Sequence, residues 1–398
     1  MEREQNAAEA LKQTLNEAVA EALAVRAVGG DAGAFSHASP LTAETMVKLM
    51  LTLEGRALER ALRDAGLSVT SSAFTRRRRL LPEAVFETLF RAFNARCRDA
   101  RRAWGYRVLL MDRLNLGLSR AGSPSGPFRV SVLYDALSNT FADAALPAED
   151  DAEALTALVE RRNRAGERAL LVTEDSFSAY QLFPALAERA ECAVLLRFPA
   201  EGYDRRPPGG VPVRITETEG TGFAPQIRSL RCHLADGAVE TLVTDLQPDI
   251  PGRDIWELYH AHGGVAAAAR AWKHTLQTKK FHGRSVEFAH QELWAALTMS
   301  NFCSRIAGAV VPPPERGLYA YQVDASQLSW LCRAFYRARE ADGEALLRAL
   351  AERAEAIPAE AKYPAHFRRC FPGLCYRVHA EPPAGLTATG TRSADTPP

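Results

Sequence analysis

The chain has 398 residues, of which 49 are basic and 48 acidic, so its formal net charge is +1. A hydrophobic content of 47% and a charged content of 24% are typical of a globular protein with a sizeable core. The length allows two or three domains, or one domain with a large insertion. The near-zero net charge excludes an electrostatic signature for nucleic acid or membrane over the whole molecule, so such partners must contact local patches.

The cysteines and the N-terminus predict the compartment. The seven cysteines are scattered and never occur in CxxC spacing, which favours reduced thiols over a disulfide framework or a zinc site. The first residues are polar and acidic, unlike a signal peptide. No apolar run approaches the roughly 18–20 residues that span a bilayer. We therefore expect a cytoplasmic protein.

The first part of the chain, residues 7–103, has helical periodicity with few strand candidates. Gly66 is a plausible helix C-cap, and Pro82 is expected to begin a further helix. The candidates for a helix N-cap between them are Ser71, Ser72 and Thr75. The tract Arg76, Arg77, Arg78 and Arg79 is the densest positive charge in the chain. It is either a solvated helix face or a DNA-phosphate contact.

From Tyr106 the pattern changes to strands. The runs "YRVLLMD" and "RALLVTE" are short, apolar and end on the acids Asp112 and Glu174, as buried strands do when their carboxyl ends open into a site. The segments "FRVSVLYDAL" and "NTFADAAL" predict a hairpin, and "CAVLLRF" a further strand. Helical segments alternate with these strands, which predicts a mixed α/β sheet.

The middle of the chain has a different composition. Residues 199–251 are rich in Gly, Pro, Thr and Val and predict β-hairpins inserted into the α/β part. Residues 254–357 are predicted to be helical again. The tail "PPAGLTATGTRSADTPP" is low in apolar residues and is expected to be disordered.

The acids at the ends of two strands are candidate metal ligands. Carboxylate oxygens suit Mg²⁺, which is typically held by one or two carboxylates with waters and phosphates. Acids also follow strands simply as the first residue of a loop, so Asp112 and Glu174 are open to both interpretations.

A second polar constellation lies in "LYHAHGGVAAAARAWKHTLQTKKFHG", residues 258–283. At about 100° per residue, four positions share a helical stripe about 60° wide: Tyr259, His262, Ala266 and Lys273. Tyr, His and Lys side chains on one stripe can contact phosphate oxygens. In the alternative interpretation, Tyr259 is partly buried core and the others are solvated.

The spacing Y-x2-H-x3-A-x6-K of these residues resembles the Y-x2-R-x3-E-x6-K signature of bacterial insertion-sequence transposases of the DDE class. Other segments resemble the same family over roughly residues 35–380. They are "KHTLQTKKFHGRSVEFAHQELWAALTMSN", "VETLVTDL", "VLYDALSNTFADAAL" and "SSAFTRRRRLLPEAVFETLFRAFN".

The resemblance implies an α/β fold with an RNase H-like mixed sheet, interrupted by a β-rich insertion and preceded by an all-helical N-terminal domain. It also implies Mg²⁺-dependent cleavage and strand transfer at transposon ends. The implied division is a helical DNA-binding and dimerisation domain at 1–103, core at 104–198, insertion at 199–252, core with the signature helix at 253–357, and a C-terminal segment at 358–398.

Carried over residue by residue, the resemblance implies an incomplete catalytic triad. The first acid falls on Asp112, and the second on Glu174, where the family has Asp. The third falls on Ala266, and the signature Arg on His262. A site with two acids, one of them lengthened, is expected to bind Mg²⁺ weakly. We therefore expect cleavage to be lost or impaired.

The expected partner is double-stranded DNA, including terminal inverted repeats, bound by a homodimer. A local basic patch adds to the stripe and suits the DNA backbone: Lys273, Lys279, Lys280 and Arg284. Two other hypotheses are open. One is an active transposase or nuclease with a rebuilt acid set that adds Asp175 and Glu292, and the other is a protein-interaction module that no longer binds DNA.

Overall fold

A computed structural model describes residues 6–28, 39–53, 57–98, 100–116, 128–146, 157–158, 160–161, 168–174, 192–198, 214–219, 227–234, 237, 239–261, 285–310, 319–323 and 325–358. The helices are α1 Ala7–Val28, α2 Ala43–Thr52, α3 Leu58–Asp64, α4 Ser71–Arg78, α5 Glu83–Arg96, α6 Gly252–Ala261, α7 Val286–Ala309, α8 Ala325–Arg337 and α9 Gly343–Glu352. The strands are β1 Arg107–Leu116, β2 Phe128–Asp135, β3 Thr140–Ala145, β4 Ala169–Glu174, β5 Cys192–Phe198, β6 Arg214–Glu219, β7 Arg228–His233, β8 Val239–Thr244, β9 Tyr319–Val323 and β10 Ala354–Pro358.

Eight of these strands form one mixed sheet in the order β3-β2-β1-β4-β5-β8-β7-β6. The strands β1, β2 and β3 are antiparallel neighbours, and β4 and β5 run parallel to β1. The predicted mixed α/β sheet is thereby confirmed. The prediction that residues 254–357 are all helical is wrong at β9 and β10, which pair antiparallel in a small second sheet.

The predicted hairpin segment extends the main sheet at one edge. Strand β8 pairs antiparallel with β5, from Leu195↔Thr244 to Phe198↔Thr241. Strands β7 and β6 follow, each antiparallel to its neighbour. The segment between β5 and α6 therefore supplies three strands that share hydrogen bonds with the α/β sheet.

Strand β1 differs from its prediction at one end. The sequence predicts that it ends on Asp112, whereas it continues to Leu116. The continuation has a partner, because β2 pairs with β1 as far as Leu116↔Phe128. Asp112 therefore lies within the strand and does not begin a loop.

Alternation along the central strands divides the core between the two faces of the sheet. Val108 and Leu110 of β1 belong to the larger cluster of buried side chains, whereas Leu109 and Met111 belong to the smaller one. The larger cluster contains the buried faces of the helices, with the aromatic residues Phe86, Phe90, Phe93, Trp294 and Phe302. Trp294 of α7 is 1% exposed. Its ring centroid lies 5.1 Å from that of Phe90.

One asparagine of α7 ties the helices to the sheet. Asn301 is 1% exposed, and its Oδ1 accepts the backbone N–H of Phe141 in β3 over 2.7 Å. Its Nδ2 donates to the carbonyl of Phe141 and to Oδ1 of Asn94 in α5, each over 2.8 Å. The edge strand β3 is therefore fixed to two helices through one buried side chain.

The N-terminal helices pack on the C-terminal ones. Helix α1 contacts α5, α7 and α9, and α2 contacts α7 and α8. Lys12 of α1 donates to the carbonyl of Phe335 in α8 over 3.1 Å. The helices before β1 therefore share a core with those after β8, and the predicted boundaries of the five segments stay predictions.

Within the described residues, no helix combines the length and the apolar composition needed to cross a bilayer.

Candidate active site

The two carboxylates with predicted metal-binding roles lie on neighbouring strands. The parallel pairing of β1 and β4 runs from Arg107↔Ala169 to Leu110↔Val172. Counted on from the last pair, Asp112 and Glu174 hold equivalent register positions. Both acids therefore lie two residues beyond the last residues at which β1 and β4 pair, on the carboxyl-terminal side of that pairing.

The next strand places an arginine in register with the second acid. Arg197 of β5 is the register partner of Glu174. Its guanidinium forms an ion pair with Glu240 of β8, and both side chains are largely buried, with exposures of 11% and 2%. The positive charge of Arg197, the register partner of Glu174, is therefore paired with a carboxylate of β8.

Glu240 also contacts two side chains of α6. His260 Nε2 lies 2.7 Å from its Oε2, and Trp256 Nε1 donates to the same oxygen over 3.3 Å. Trp256 and His260 are four residues apart and so share a helix face. We name this set, Arg197, Glu240, Trp256 and His260, the Glu240 cluster.

Tyr259, predicted to contact DNA, lies in the core beside this cluster. It is 2% exposed, its ring centroid is 5.1 Å from that of His260, and the Arg197 guanidinium carbon is 5.8 Å from its ring centre. A DNA phosphate has no access to this ring in the present conformation, so the structure favours the core interpretation of Tyr259.

The electrostatics of the cluster favour the ionised form of Glu240. Burial by itself raises the pKa of this carboxyl, but the hydrogen bond from His260 and the charges of His260 and Arg197 outweigh burial. The pKa of Glu240 therefore lies below its usual value.

A pH dependence of stability follows from this lowered pKa. A carboxyl with a depressed folded-state pKa stabilises the fold above its unfolded pKa, and this contribution is lost as the pH falls through the folded one. We expect Glu240→Gln to lower the free energy of unfolding at neutral pH by about 3 kcal/mol, because Arg197 stays buried without its counter-charge.

Denaturant unfolding of both proteins between neutral and acid pH measures this contribution. The difference between the native chain and Glu240→Gln should shrink as the pH falls below about 5. A difference that grows as the pH falls below about 5 would contradict the assigned ionisation.

Sequence reasoning did not identify the Glu240 cluster. A signal for it exists in "VETLVT", where every second residue of β8 is buried. Glu240 has the same parity as the buried Leu242 and Thr244. An acid at an inward position of an alternating strand needs a buried partner. The helix that follows β8 in the chain is α6, and its His260 is such a partner.

The arginine tract divides into exposed and buried members. Arg76 and Arg79 are exposed, and Arg77 Nε donates to the carbonyl of Leu41 over 3.0 Å. Arg78 is 2% exposed. The prediction that the whole tract contacts DNA therefore fits Arg76 and Arg79, whereas no phosphate can reach Arg78 in this conformation.

The guanidinium of Arg78 is held by three groups of α7. It donates to Gln291 Oε1 over 2.6 Å, to Glu292 Oε1 over 2.7 Å and to the carbonyl of Phe288 over 2.5 Å. Glu292, considered for a rebuilt acid set, is therefore paired with Arg78.

The surface around the exposed arginines is basic. Helices α3 and α4 contact each other, and residues 57–80 carry six arginines against two acids. Arg60 and Arg63 of α3 are exposed as well, and their spacing of three places them on one side of the helix. We name Arg60, Arg63, Arg76 and Arg79 the α3–α4 basic surface.

Several predicted site residues lie outside the described part of the chain: His262, Ala266, Lys273, Lys279, Lys280 and Arg284. The side chains of Asp112 and Glu174 are likewise not described. Among the side chains that are, no group of three or more His, Cys, Asp or Glu residues could hold a metal ion.

No protein-family model and no curated protein sequence matches this chain. Among solved structures, the chain is similar to a piggyBac transposase in a synaptic complex with hairpin DNA, determined by cryo-EM. The likeness covers 97% of this chain and 88% of that chain at 10% sequence identity, with a TM-score of 0.47. A similarity of this degree assigns neither a family nor an activity to this chain.

Proposed function

We propose that this chain is a DNA-binding protein of the DDE transposase family whose cleavage activity is lost or impaired. The observation that carries the proposal is the placement of Asp112 and Glu174 at equivalent register positions on adjacent parallel strands. The sequence resemblance assigns these residues to the first two acids of the family's triad. It assigns the third position to Ala266, which has no metal-binding group.

The sheet topology supports the proposed RNase H-like core. Strands β1, β2 and β3 are antiparallel and come first in the chain, and β4 and β5 are added parallel to β1 on its other side. Strands β6, β7 and β8 follow β5 and precede α6. That is the place of the insertion that the resemblance implies, between the second and third acids.

The oxygen donors of Asp112 and Glu174 fit a Mg²⁺ ion in their chemistry. When bound in such a site, the metal would activate a water or 3′-hydroxyl and stabilise the leaving oxygen. Two carboxylates are few for a pair of metal ions.

The proposed DNA contact includes the α3–α4 basic surface. Exposed arginines bind phosphates and release counterions, so affinity falls as salt rises. We expect the double variant Arg76→Ala/Arg79→Ala to weaken binding to a short mixed-sequence duplex. Its slope of log affinity against log salt should be smaller by about two, since each lost phosphate contact reduces that slope by about one.

Fluorescence anisotropy at several salt concentrations measures both quantities. Arg231→Ala, which removes an exposed arginine of β7, is the matched control and should leave the slope unchanged. If the native chain binds no duplex at low salt, the interaction-module hypothesis replaces the proposal. Binding to inverted repeats and dimer formation on DNA belong to the same proposal and can be tested with the flanking genomic sequence as the duplex.

A further inference from the structure

Helix α6 begins at a carboxylate of the sheet extension. The backbone N–H of Gly252, one of the unpaired donors of the first helical turn, donates to Glu217 Oε1 of β6 over 3.1 Å. The other oxygen of Glu217 accepts from Arg228 of β7 over 2.8 Å. Arg228 is buried and also donates to the carbonyl of Gln247 over 2.8 Å. Two strands of the extension therefore fix both the start of α6 and the turn that leads into it.

The close approach at this end requires a glycine. A Cβ atom at position 252 would lie 2.2 Å from Glu217 Oε1 and 3.1 Å from Leu230 Cδ2. An alanine there would force the carboxylate away from the helix terminus, so the hydrogen bond to residue 252 would be lost.

The second half of α6 is held by the Glu240 cluster. Glu240 of β8 accepts from Trp256 and lies 2.7 Å from His260 Nε2. Glu217 and Glu240 belong to the two outer strands of the extension. Glu217 contacts the first turn of α6 through Gly252, and Glu240 contacts the last turn through His260. Their side-chain exposures, 43% and 2%, show that the first contact is peripheral and the second deeply buried.

We propose that the extension β6–β8 positions α6, with Glu217 and Glu240 as positioning residues. Helix α6 ends at Ala261, directly before the segment that carries His262, Ala266 and Lys273. Fixing α6 therefore fixes the position of Ala261, from which the chain continues into that segment. The functional consequence rests on the proposed function together with the DNA contacts that the sequence resemblance implies for that segment.

Amide hydrogen exchange tests the positioning directly. We expect Glu240→Gln and Gly252→Ala each to raise exchange in residues 252–261 by about tenfold, with the amides of β1 and β4 unchanged, because local opening of one helix leaves the central sheet paired. Arg231→Ala is again the control. Exchange that is unchanged in α6, or raised equally in the central strands, overturns the proposal.

The two variants differ in how strongly they are expected to destabilise the fold, so the test does not depend on both of them folding. Glu240→Gln removes a buried charge and threatens folding, whereas Gly252→Ala displaces a half-exposed carboxylate and should leave the fold intact. If only the second variant folds, its exchange pattern alone decides the outcome.

DNA affinity supplies a readout that a purely structural role would not change. We expect Gly252→Ala to bind the same mixed-sequence duplex about tenfold more weakly, although the α3–α4 basic surface is intact and the free energy of unfolding falls little. Raised exchange with unchanged affinity would overturn the link to DNA. If the native chain binds no duplex, the proposed function fails, whereas the exchange experiment still judges the positioning of α6.

Discussion

Replacing Arg78 by alanine is expected to lower the free energy of unfolding by about 3–5 kcal/mol, because it breaks the ion pair of the buried Arg78 with Glu292 and removes the guanidinium from its three acceptors. The same change removes the donor to the buried Gln291 Oε1, and an unsatisfied buried acceptor adds to the loss. Since whole domains are stable by only about 5–15 kcal/mol, a loss of this size should be visible in any denaturant titration.

The neighbouring arginine provides the matched control. Arg79→Ala changes an exposed residue of the same tract and should alter the free energy of unfolding by less than about 0.5 kcal/mol. Arg78→Lys keeps the positive charge but lacks the planar fork of donors with which the guanidinium reaches its three acceptors, so an intermediate loss is expected. Equal small losses for Arg78→Ala and Arg79→Ala would show that the ion pair with Glu292 does not form in solution.

The position of Arg78 shows what sequence patterning can and cannot supply. Four consecutive arginines have identical local chemistry, and composition alone predicts a solvated basic tract. Phe74 lies four residues before Arg78 on α4 and is 1% exposed, so helical spacing places both on one face. That signal indicates burial of Arg78. The acid that compensates it is more than two hundred residues away in α7, and no local pattern identifies such a partner.

The strands could be predicted from the sequence more completely than the burial of Arg78. The hairpin of β2 and β3 and the end of β4 at Glu174 follow from local residue chemistry, and Asn139 between the two hairpin strands has a positive φ of 53°. The N-cap of α4 is Thr70, one residue before the predicted candidates, since neighbouring hydroxyl residues are equivalent in sequence. The pairing of β8 with β5 depends on contacts between distant segments, so composition could indicate strands there but not the sheet they join.

The candidate site, like the strands, was predictable only where its signal is local in the sequence. The acids at the ends of apolar runs were recognisable as a pair, and both lie two residues beyond the last pair of β1 with β4. The Glu240 cluster was missed because His260 and Arg197 look like ordinary solvated residues until the strand order places them around one carboxylate. Local periodicity in the sequence does not indicate which charged residues the tertiary structure buries.

The double variant Glu174→Asp/Ala266→Glu is expected to gain Mg²⁺-dependent nicking of inverted-repeat DNA over the native chain by at least about a hundredfold, because residues that act as one catalytic unit have strongly non-additive effects. Each single variant should stay near the background of the native chain, since neither restores three carboxylates of the family's lengths.

Gel analysis of a labelled duplex from the flanking sequence measures the gain, and Asp112→Asn in the restored background is the control that should abolish it. If the native chain already nicks this DNA and loses the activity with Asp112→Ala, the acid set has been rebuilt and the proposed impairment is wrong. If the double variant binds the duplex as the native chain does and yet stays inactive, more than the triad has been lost. Ala266 would then mark a protein whose remaining interaction with DNA is binding alone.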